Sequence, residues 1–383
     1  MLVGGAVVDA CQGKRQKDWD IEVYGLSYDR LGEILKEYSP KFCGKAFGII
    51  KLSEGLCDGW EIDVNVPRRE NNIGVGHKDF EVSLDPTMTP KEAAMRRDFT
   101  FNSLYYDPES EQIIDHFGGL RDLENGVLRA TCPEKFVEDP LRALRAMQLL
   151  PRKGKTVDPA TMNLIKGMVD AFPSLSKERV HEEWRKLLLK AYEPSIGLEF
   201  LRESGWIKWF PELEALIGCG QNPDWHPEGD VWVHSKLVAD SAARVIWQID
   251  PEWREAFVFG AFLHDVGKPS TTVFPHLVEA GLAPKERLWT AHGHDIAGVA
   301  PATSFMERLT NNKKLIERTT TIVREHMQPY YLSSGAAKDS AWRRLHNKIR
   351  LDVIGWMSRC DACGCHHHSI GEPDLEHEYS KNC

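Results

Sequence analysis

Near its amino terminus the chain reads Leu2-Val3-Gly4-Gly5-Ala6-Val7-Val8-Asp9, and after Gly13 it continues with Lys17-Asp18-Trp19-Asp20-Ile21-Glu22-Val23. A short apolar run meets a glycine pair, then a helical segment, then a β-branched stretch that carries two aspartates. Because glycine has no Cβ atom, the amides of Gly4 and Gly5 can approach a phosphate closely. The N-terminus of the helix that follows would attract the same anion.

Asp18 and Asp20 indicate a metal site. They are two residues apart in a predicted strand, so both side chains point to the same face. Two carboxylates on one face are poorly tolerated unless a cation neutralises them. Mg²⁺ that bridges phosphates is the natural candidate, because it combines one or two carboxylates with phosphate oxygens. A solvated Asp-x-Asp beside an ordinary turn is the alternative, and the glycine pair at this spacing favours the phosphate and metal site.

The composition is that of a soluble globular protein with two or three domains, since 383 residues exceed one ordinary core. Hydrophobic residues make up 42% of the chain and charged residues 27%. No run approaches the ~18 apolar residues of a membrane span, and no secretory leader is visible. Nine cysteines without regular pairing predict a reducing, cytoplasmic location. With a net charge of −9, any RNA site must be a local basic patch whose binding is sensitive to salt.

Two further strands are predicted at residues 47–52 and 60–66. The second contains Asp63 within an alternating apolar pattern, and we expect it to neighbour the strand of Asp18 and Asp20. Asp63 is therefore a candidate third carboxylate of the metal site. An exposed aspartate on a strand face is an equally good interpretation.

The glycine pair and the Asp18-x-Asp20 motif resemble the first motif of the class II tRNA nucleotidyltransferase and poly(A) polymerase family. The second motif of that family is similar to Arg96-Arg97-Asp98-Phe99-Thr100-Phe101-Asn102, which we expect to lead into an alternating strand. The resemblance implies that Arg97 contacts the nucleotide and that Asp98 and Asn102 select ribose over deoxyribose. Residues 113–123 and 176–189 resemble the third and fifth motifs.

The fourth motif of the family is similar to Glu138-Asp139-Pro140-Leu141-Arg142. Asp139 is also a candidate N-cap, with Pro140 at the first position of a helix. The resemblance implies that Asp139 and Arg142 present donors and acceptors to the base of CTP or ATP, and that Arg145 is a further nucleotide contact. A salt-bridge ladder on the protein surface is the alternative.

Two positions depart from the family. Val8 stands where the family has an arginine, and Gln148 stands where many members have another. Both belong to the implied nucleotide-binding set, so two cationic contacts are missing. Weakened transfer and altered base choice both remain open.

A second candidate metal centre lies in the carboxy-terminal half. The segment Phe262-Leu263-His264-Asp265-Val266-Gly267-Lys268 resembles the signature of HD-type phosphohydrolases, in which an adjacent His and Asp bind a divalent ion through nitrogen and oxygen. His234 and Asp361 are the candidates for the remaining ligands, and Ni²⁺, Mn²⁺, Co²⁺ or Zn²⁺ is expected. Any one histidine alone is more typical of a structural role. Supporting or phosphate-contacting candidates are His292, His294 and His326.

The carboxy-terminal sequence Cys360-x-x-Cys363-x-Cys365-His366-His367-His368 contains candidate zinc ligands. No second knuckle with the usual spacing accompanies it. We therefore predict a disordered end that binds metal weakly.

The resemblance implies an α+β protein. It comprises a nucleotidyltransferase head with a mixed β-sheet at residues 1–135, a helical neck and body for base selection and RNA binding at 136–217, and an all-α HD phosphohydrolase domain at 225–383. The implied reaction adds C and A nucleotides from CTP and ATP to the 3′ end of tRNA, with Mg²⁺ held by Asp18 and Asp20. The HD domain would hydrolyse phosphoesters such as 2′,3′-cyclic phosphates.

Three alternatives remain. A poly(A) polymerase shares the head motifs, and an enzyme that adds only CC or only A would have almost the same sequence. In the third alternative, the head binds RNA without transferring nucleotides and the HD domain is the working enzyme. The sequence does not predict an oligomeric state.

Overall fold

The computed structural model describes residues 1–14, 18–43, 48–52, 61–72, 80–285, 288–333 and 338–366. Lys17, residues 74–79, His367 and His368 lie outside this part of the chain. The chain divides into two compact units. The first unit contains Met1–Ala143 and Lys153–Leu175, and the second contains Leu144–Arg152 and the chain from Ser176 onward. The three predicted domain boundaries stay a prediction.

The first unit is built on a mixed β-sheet. Its strands are β1 (Leu2–Val3), β2 (Asp18–Glu22), β3 (Lys41–Phe42), β4 (Ile49–Leu52), β5 (Glu61–Asn65), β6 (Arg68–Asn72), β7 (Phe80–Leu84), β8 (Tyr105–Asp107), β9 (Gln112–Ile114), β10 (Val127–Leu128) and β11 (Thr156–Val157). Seven of them form one sheet in the order β3-β4-β5-β2-β1-β8-β9. In that sheet β2 and β5 run parallel, whereas β1 runs antiparallel to both β2 and β8. The strands predicted around Asp20 and Asp63 are thereby confirmed.

The first unit also contains the helices α1 (Gly5–Cys11), α2 (Tyr28–Ile34), α3 (Pro90–Ala94), α4 (Gly119–Asn125), α5 (Pro133–Phe136) and α7 (Pro159–Gly167), and both ends of α6 (Leu141–Lys153). The start of α3 is a capping box, in which Thr89 and Glu92 satisfy each other's backbone amides. At α6 the Leu141 amide donates to Asp139 Oδ1 at 3.2 Å, as expected of an N-cap two residues before it.

One core cluster of the first unit lies behind one face of the sheet. Tyr28 and Leu31 on α2 pack against Ile50, Val64 and Val66, and all five side chains are buried. Burying each large apolar side chain contributes about 1.5–3 kcal/mol. This packing leaves the opposite face of β2 and β5 for polar residues.

The expected strand after Arg97 is wrong. Thr100–Ser103 forms a 3-10 helix, and the strand β8 begins only at Tyr105. Distant contacts hold this turn: Thr100 Oγ1 donates to Asp122 Oδ2 at 2.8 Å, and a Cβ atom on Gly119 would lie 2.3 Å from the Thr100 carbonyl oxygen. Tertiary packing therefore overrides the alternating pattern.

The described second unit is helical. Besides the Leu144–Arg152 part of α6 it contains α8 (Lys177–Lys190), α9 (Pro194–Glu203), α10 (Pro211–Glu214), α11 (Val231–Val245), α12 (Arg254–Leu263), α13 (Lys268–Thr271), α14 (Pro275–Glu279), α15 (His294–Ala297), α16 (Val299–Leu309), α17 (Lys313–Glu325), α18 (Gln328–Ser333), α19 (Asp339–His346) and α20 (Leu351–His366). Ser176 caps the start of α8, since its side chain accepts from the Arg179 amide. Among the residues that the structure describes, no helix combines the length and hydropathy that crossing a membrane requires.

An aromatic cluster fills the core of this unit. Trp184 on α8 contacts Phe210 and Phe305 edge-on, with ring centroids 5.0 and 5.2 Å apart, and it stacks on Phe262 of α12 at 6.1 Å. Such pairs add about 0.5–1.5 kcal/mol each beyond their buried area. The cluster fixes the end of α12, where His264 and Asp265 follow.

Candidate active site and metal centre

Three carboxylates lie on one face of the sheet in the first unit. The parallel register of β2 and β5 places Asp20 directly opposite Asp63. Because side chains alternate along a strand, Asp18 shares that face, whereas Val64 on the other face is buried in the core. The structure therefore brings together all three carboxylates that the sequence proposes as metal ligands.

Gly4 approaches this carboxylate face closely. It precedes α1 with a φ of +67°, in the region that favours glycine. A Cβ atom on Gly4 would lie 3.3 Å from both Asp20 Oδ2 and Arg97 Nη1. Among the described atoms none lies within 4 Å of a Cβ atom on Gly5. Of the two glycines, Gly4 is the one whose missing side chain lets the backbone meet Asp20 and Arg97.

The electrostatics of this face suit a divalent cation. Burial raises the pKa of Asp20; Arg97 opposes that rise, and the carboxylates of Asp63 and Asp18 add to it. Lys51 Nζ lies 3.4 Å from Asp63 Oδ2, but Asp63 Oδ1 is buried without a hydrogen-bond partner in the described structure. Crowded carboxylates with an unsatisfied oxygen gain from added positive charge. The residues present therefore fit Mg²⁺.

Asp98, which precedes the 3-10 helix Thr100–Ser103, forms a hydrogen-bonded pair with Asn102 within that helix. Asp98 is buried, and its Oδ1 accepts from Asn102 Nδ2 at 2.9 Å and from the Phe99 amide at 2.8 Å. The Asp98 carboxylate thus fixes the orientation of the Asn102 amide. These two side chains can present a defined donor and acceptor to a neighbouring polar group.

Arg142 at the start of α6 is held by backbone carbonyl groups. Its Nη1 donates to the Lys135 carbonyl at 2.6 Å, and its Nη2 donates to the Arg96 carbonyl at 2.5 Å. A guanidinium group has five N–H donors, so three remain for other acceptors. The structure therefore gives Arg142 a fixed position and leaves it donors for a ligand.

Three predicted nucleotide contacts lie elsewhere. Val8 on α1 is 1% exposed and packs in the core of the first unit. Arg145 and Gln148 belong to the α6 segment of the second unit. There Arg145 Nη1 lies 3.9 Å from Glu183 Oε1, and the buried Gln148 accepts from Arg152 Nη1 at 2.6 Å. Arg152 thus lies one helical turn after Gln148 on α6.

Four of the candidate metal ligands in the second unit converge. His234 Nε2 lies 2.9 Å from Asp361 Oδ1 and 3.3 Å from His264 Nε2. His264 Nε2 lies 3.2 Å from Asp265 Oδ2 and 3.5 Å from Asp361 Oδ1. His234 comes from α11, His264 and Asp265 from the end of α12, and Asp361 from α20. Side chains from three separate helices therefore point their donor atoms at one place.

A second donor group shares Asp265. His294 Nε2 lies 3.2 Å from Asp265 Oδ1 and 3.0 Å from His326 Nε2. Asp265, His294 and His326 are all buried and have the spacing of a metal-binding group. His292, by contrast, is exposed and belongs to neither group among the described residues. Asp265 thus lies between two sets of imidazoles.

Backbone carbonyl groups fix the tautomers of these imidazoles. The Nδ1–H groups of His264, His294 and His326 donate to carbonyl oxygens at 2.7–2.8 Å. Since a carbonyl oxygen only accepts, Nδ1 carries a proton in each ring, and Nε2 is the atom that can bind a metal ion. His294 and His326 direct their Nε2 atoms at each other, an arrangement that requires a proton or a metal ion between them. The donor set therefore fits divalent transition metals.

In this cluster Asp265 is held in its charged form, whereas His326 is held neutral. Burial opposes ionisation of Asp265, but His264 and Lys268 beside it hold its pKa well below the ordinary value. Burial, with the charges of His264 and His294, lowers the pKa of His326 to about 3. His326 is therefore neutral at physiological pH, which is the form in which an imidazole binds a metal.

Comparison with known proteins assigns the family. Residues 1–129 match the Poly A polymerase head domain, and residues 155–217 match the probable RNA and SrmB-binding site of polymerase A. A multifunctional CCA protein of Xanthomonas campestris is 36% identical over 339 residues, which cover 86% of this chain and 75% of that protein. The chain belongs to the multifunctional CCA protein family. A member from Acinetobacter baumannii is 30% identical over 374 residues, covering 95% of this chain and 82% of that protein.

Solved structures share the fold of this family member. A tRNA-processing enzyme in its apo form I matches with a TM-score of 0.62 at 19% identity, covering 94% of this chain and 82% of the other. A CCA-adding enzyme in its apo form II matches with a TM-score of 0.61 at 20% identity, covering 96% and 75%. At this identity the match concerns the fold alone, and it agrees with the predicted α+β nucleotidyltransferase architecture.

Two residues near the histidines of this CCA family member were not predicted as site residues. Lys268 Nζ lies 2.6 Å from Asp265 Oδ2, and Glu228 Oε1 lies 2.8 Å from His234 Nδ1. The position of Lys268 three residues after Asp265 was a usable signal, since such residues are neighbours on a helical turn. Glu228 gave no such signal, because it lies in the loop before α11.

Proposed function

We propose that this protein adds C and A nucleotides from CTP and ATP to the 3′ end of tRNA. The observation that carries the proposal is the placement of Asp18, Asp20 and Asp63 on one face of the sheet, next to Gly4 and Arg97. Membership in the multifunctional CCA protein family supports the same reaction.

The residues of the first unit have different roles in the proposed nucleotidyl transfer. Asp18 and Asp20, with Asp63, would hold Mg²⁺, which when bound would supply charge neutralisation for the triphosphate and a lowered pKa for the attacking ribose hydroxyl. Arg97 pairs with phosphate oxygens through its planar fork. Asp98 orients Asn102, so that the pair can bind the ribose hydroxyl and select ribose over deoxyribose. Attack of the 3′ oxygen on the α-phosphorus forms the new ester bond and releases pyrophosphate.

Base selection in this proposal falls to α6. Asp139 accepts and Arg142 donates, and together they match the mixed edge of cytosine or adenine. Two backbone carbonyl groups hold Arg142. Its remaining N–H donors therefore point in a fixed direction, and no nucleic-acid template is needed to orient them. The family resemblance implies a further contact from Arg145, whereas Gln148 supplies no cation.

Single-nucleotide extension assays test the transferase. Purified protein and Mg²⁺ are incubated with tRNAs that lack CCA, end in C or end in CC, with CTP and ATP supplied separately and together. Growth that stops at CCA supports the proposal, and Asp18→Ala is expected to abolish it. Unlimited A addition would instead indicate a poly(A) polymerase, and a product that stops at CC would indicate a CC-adding enzyme.

We further propose that the second unit contains an HD-type phosphohydrolase centre. The observation that carries it is the convergence of His234, His264, Asp265 and Asp361, with His294 and His326 on the other side of Asp265. When bound, divalent ions would supply Lewis-acid activation of a phosphoester and of the attacking water. Asp265 holds the two donor groups together, and Lys268 is placed to contact an anionic oxygen beside it.

Separate variants distinguish the two activities. His264→Ala is expected to abolish hydrolysis of 2′,3′-cyclic and 3′-phosphate nucleotides while tRNA extension continues. Asp18→Ala is expected to do the reverse. If extension is absent but hydrolysis remains and depends on His264, the protein is a hydrolase with an RNA-binding head. If His264→Ala leaves hydrolysis unchanged, the HD assignment fails.

A further inference from the structure

A third group of metal-binding side chains lies on the other side of the His234 ring. His226, Glu228, His234 and Cys365 present four donor atoms that lie within 4.8 Å of one another. The His234 Nε2 atom faces His264 and Asp361, whereas its Nδ1 atom faces this third group. The phosphohydrolase centre proposed above uses none of His226, Glu228 or Cys365.

The distances suit a tetrahedral ion. Cys365 Sγ lies 3.5 Å from His226 Nδ1 and 4.0 Å from His234 Nδ1. Glu228 Oε1 lies 2.9 Å from His226 Nδ1 and 2.8 Å from His234 Nδ1. Ligands at about 2.0–2.3 Å from a tetrahedral Zn²⁺ are roughly 3.3–3.7 Å apart. The sulfur contacts are already near that range, and the shorter nitrogen–oxygen contacts are those of hydrogen bonds that metal binding would replace.

Orientation of His234 by Glu228 does not account for this group. A carboxylate that fixes the tautomer of a ligating histidine is common, but it requires neither a second imidazole nor a thiol. Glu228 is fully buried in its side chain, and its Oε2 has no hydrogen-bond partner in the described chain. A buried carboxylate with a free oxygen, faced by two imidazoles and a sulfur, gains from a cation.

The backbone of α20 is shaped for this approach. A Cβ atom on Gly364 would lie 2.7 Å from Val238 Cγ2 and 3.1 Å from His234 Cε1. Only a residue without a side chain lets the last turn of α20 lie against His234, and Cys365 is the next residue. The close approach therefore places the thiol beside the His234 ring.

We propose that His226, Glu228, His234 and Cys365 bind a thiophilic divalent ion of the zinc type. His234 would then bridge two centres, with Nδ1 bound here and Nε2 bound in the HD cluster, and the Nδ1 proton of His234 and the thiol proton of Cys365 would be lost to solvent. Metal binding would anchor the end of α20 to the loop before α11. The site does not depend on whether the HD cluster performs catalysis.

Cobalt substitution in the full chain tests this proposal. Protein stripped by a chelator is titrated with Co²⁺, and thiolate-to-cobalt charge transfer is followed in the near ultraviolet. The band is expected in the wild type and in Cys363→Ser, a matched control on the same helix. It is expected in His264→Ala as well, which removes a ligand of the neighbouring centre only. Cys365→Ser and His226→Ala are expected to lose the band and about one bound ion per chain.

A second measurement covers the case in which Cys365→Ser does not fold. Alkylation of Cys365 in the wild-type chain is followed by mass spectrometry with and without Zn²⁺, and the proposal expects Zn²⁺ to slow it several-fold. Absence of the band in the wild type, its persistence in Cys365→Ser, or its retention in a folded His226→Ala would overturn the proposal. So would alkylation of Cys365 at a rate that Zn²⁺ does not change.

Discussion

Asp63 lies directly opposite Asp20 in the parallel register of β2 and β5, and its buried Oδ1 has no hydrogen-bond partner in the described structure. This position, opposite Asp20 and with a buried Oδ1, is the one that the metal-ligand interpretation of Asp63 requires. The relationship also explains why burial and neighbouring negative charge raise the pKa of Asp20. Asp63 therefore belongs to the same electrostatic unit as Asp18 and Asp20.

Asp63→Asn is expected to reduce nucleotide transfer by roughly 10²–10³-fold, the loss typical of removing one group that stabilises developing charge. The Mg²⁺ concentration needed for half-maximal activity should rise as well, because one anionic ligand is lost. Primer-extension kinetics across a Mg²⁺ titration measure both. Glu33→Gln is the control, since it removes a carboxylate from an exposed ion pair on α2. Equal effects of the two substitutions would exclude a metal-binding role for Asp63.

Gly4 and Gly5 offer a matched pair of substitutions. Gly4→Ala places a side chain at a φ of +67°, 3.3 Å from Asp20 and Arg97, and we expect a loss of about 1–3 kcal/mol in unfolding free energy together with most transferase activity. Gly5→Ala meets none of the described atoms within 4 Å and should change neither. Urea unfolding and primer extension measure the two effects. If Gly5→Ala is the more harmful change, the close approach of Gly4 is not what the motif requires.

Local sequence patterns predicted much of the secondary structure around this site. They failed where contacts between residues far apart in the sequence determine the structure. The alternation around Asp18 and Asp20, and the cap at Asp139, depend on neighbours within a few residues, and the structure confirms the strand and the helix start. The 3-10 turn at Thr100–Ser103 depends on Asp122, which lies 22 residues away. No local pattern contains that contact.

The carboxy-terminal residues are a second case in which the local sequence pattern gave the wrong structure. Cys360–His366 forms the last turns of α20 in the structure, so the prediction of a disordered end is wrong for these residues. His367 and His368 lie outside the described chain. Cys365 meets His226 across 139 residues of sequence, and no spacing rule connects two such positions. The convergence of His234, His264 and Asp361 could be proposed only because the His-Asp pair resembles a known signature.

The two histidines that flank Gly293 should behave differently. His294→Ala removes a buried donor next to Asp265 and is expected to lower phosphohydrolase activity by about 10–100-fold and to reduce metal content. His292 is exposed, so His292→Ala should leave both unchanged. Phosphoester hydrolysis and elemental analysis of the purified variants are the measurements. Similar losses in both variants would mean that the effect arises from the loop itself and not from a donor at position 294.

Asp240 should make the second unit less stable as pH rises. Its Oδ1 accepts from the Ser195 amide at 2.9 Å, but burial raises its pKa from 3.8 to about 6, although the Ser195 hydrogen bonds and Arg244 oppose the rise. Because the folded state holds this proton more tightly than the unfolded state, the stability contributed by Asp240 is greatest below about pH 4 and is lost as the pH rises through about 6. The loss approaches about 3 kcal/mol, at 1.36 kcal/mol per pKa unit.

Asp240→Asn keeps the acceptor and removes the charge, so its unfolding free energy should exceed that of the wild type increasingly between pH 4 and pH 7. Urea unfolding at closely spaced pH values measures this difference. Asp224→Asn, which removes an exposed carboxylate from the same unit, should show no comparable trend. A difference between Asp240→Asn and the wild type that stays constant with pH would show that Asp240 does not titrate in this range, because only a group with different folded and unfolded pKa values changes stability with pH.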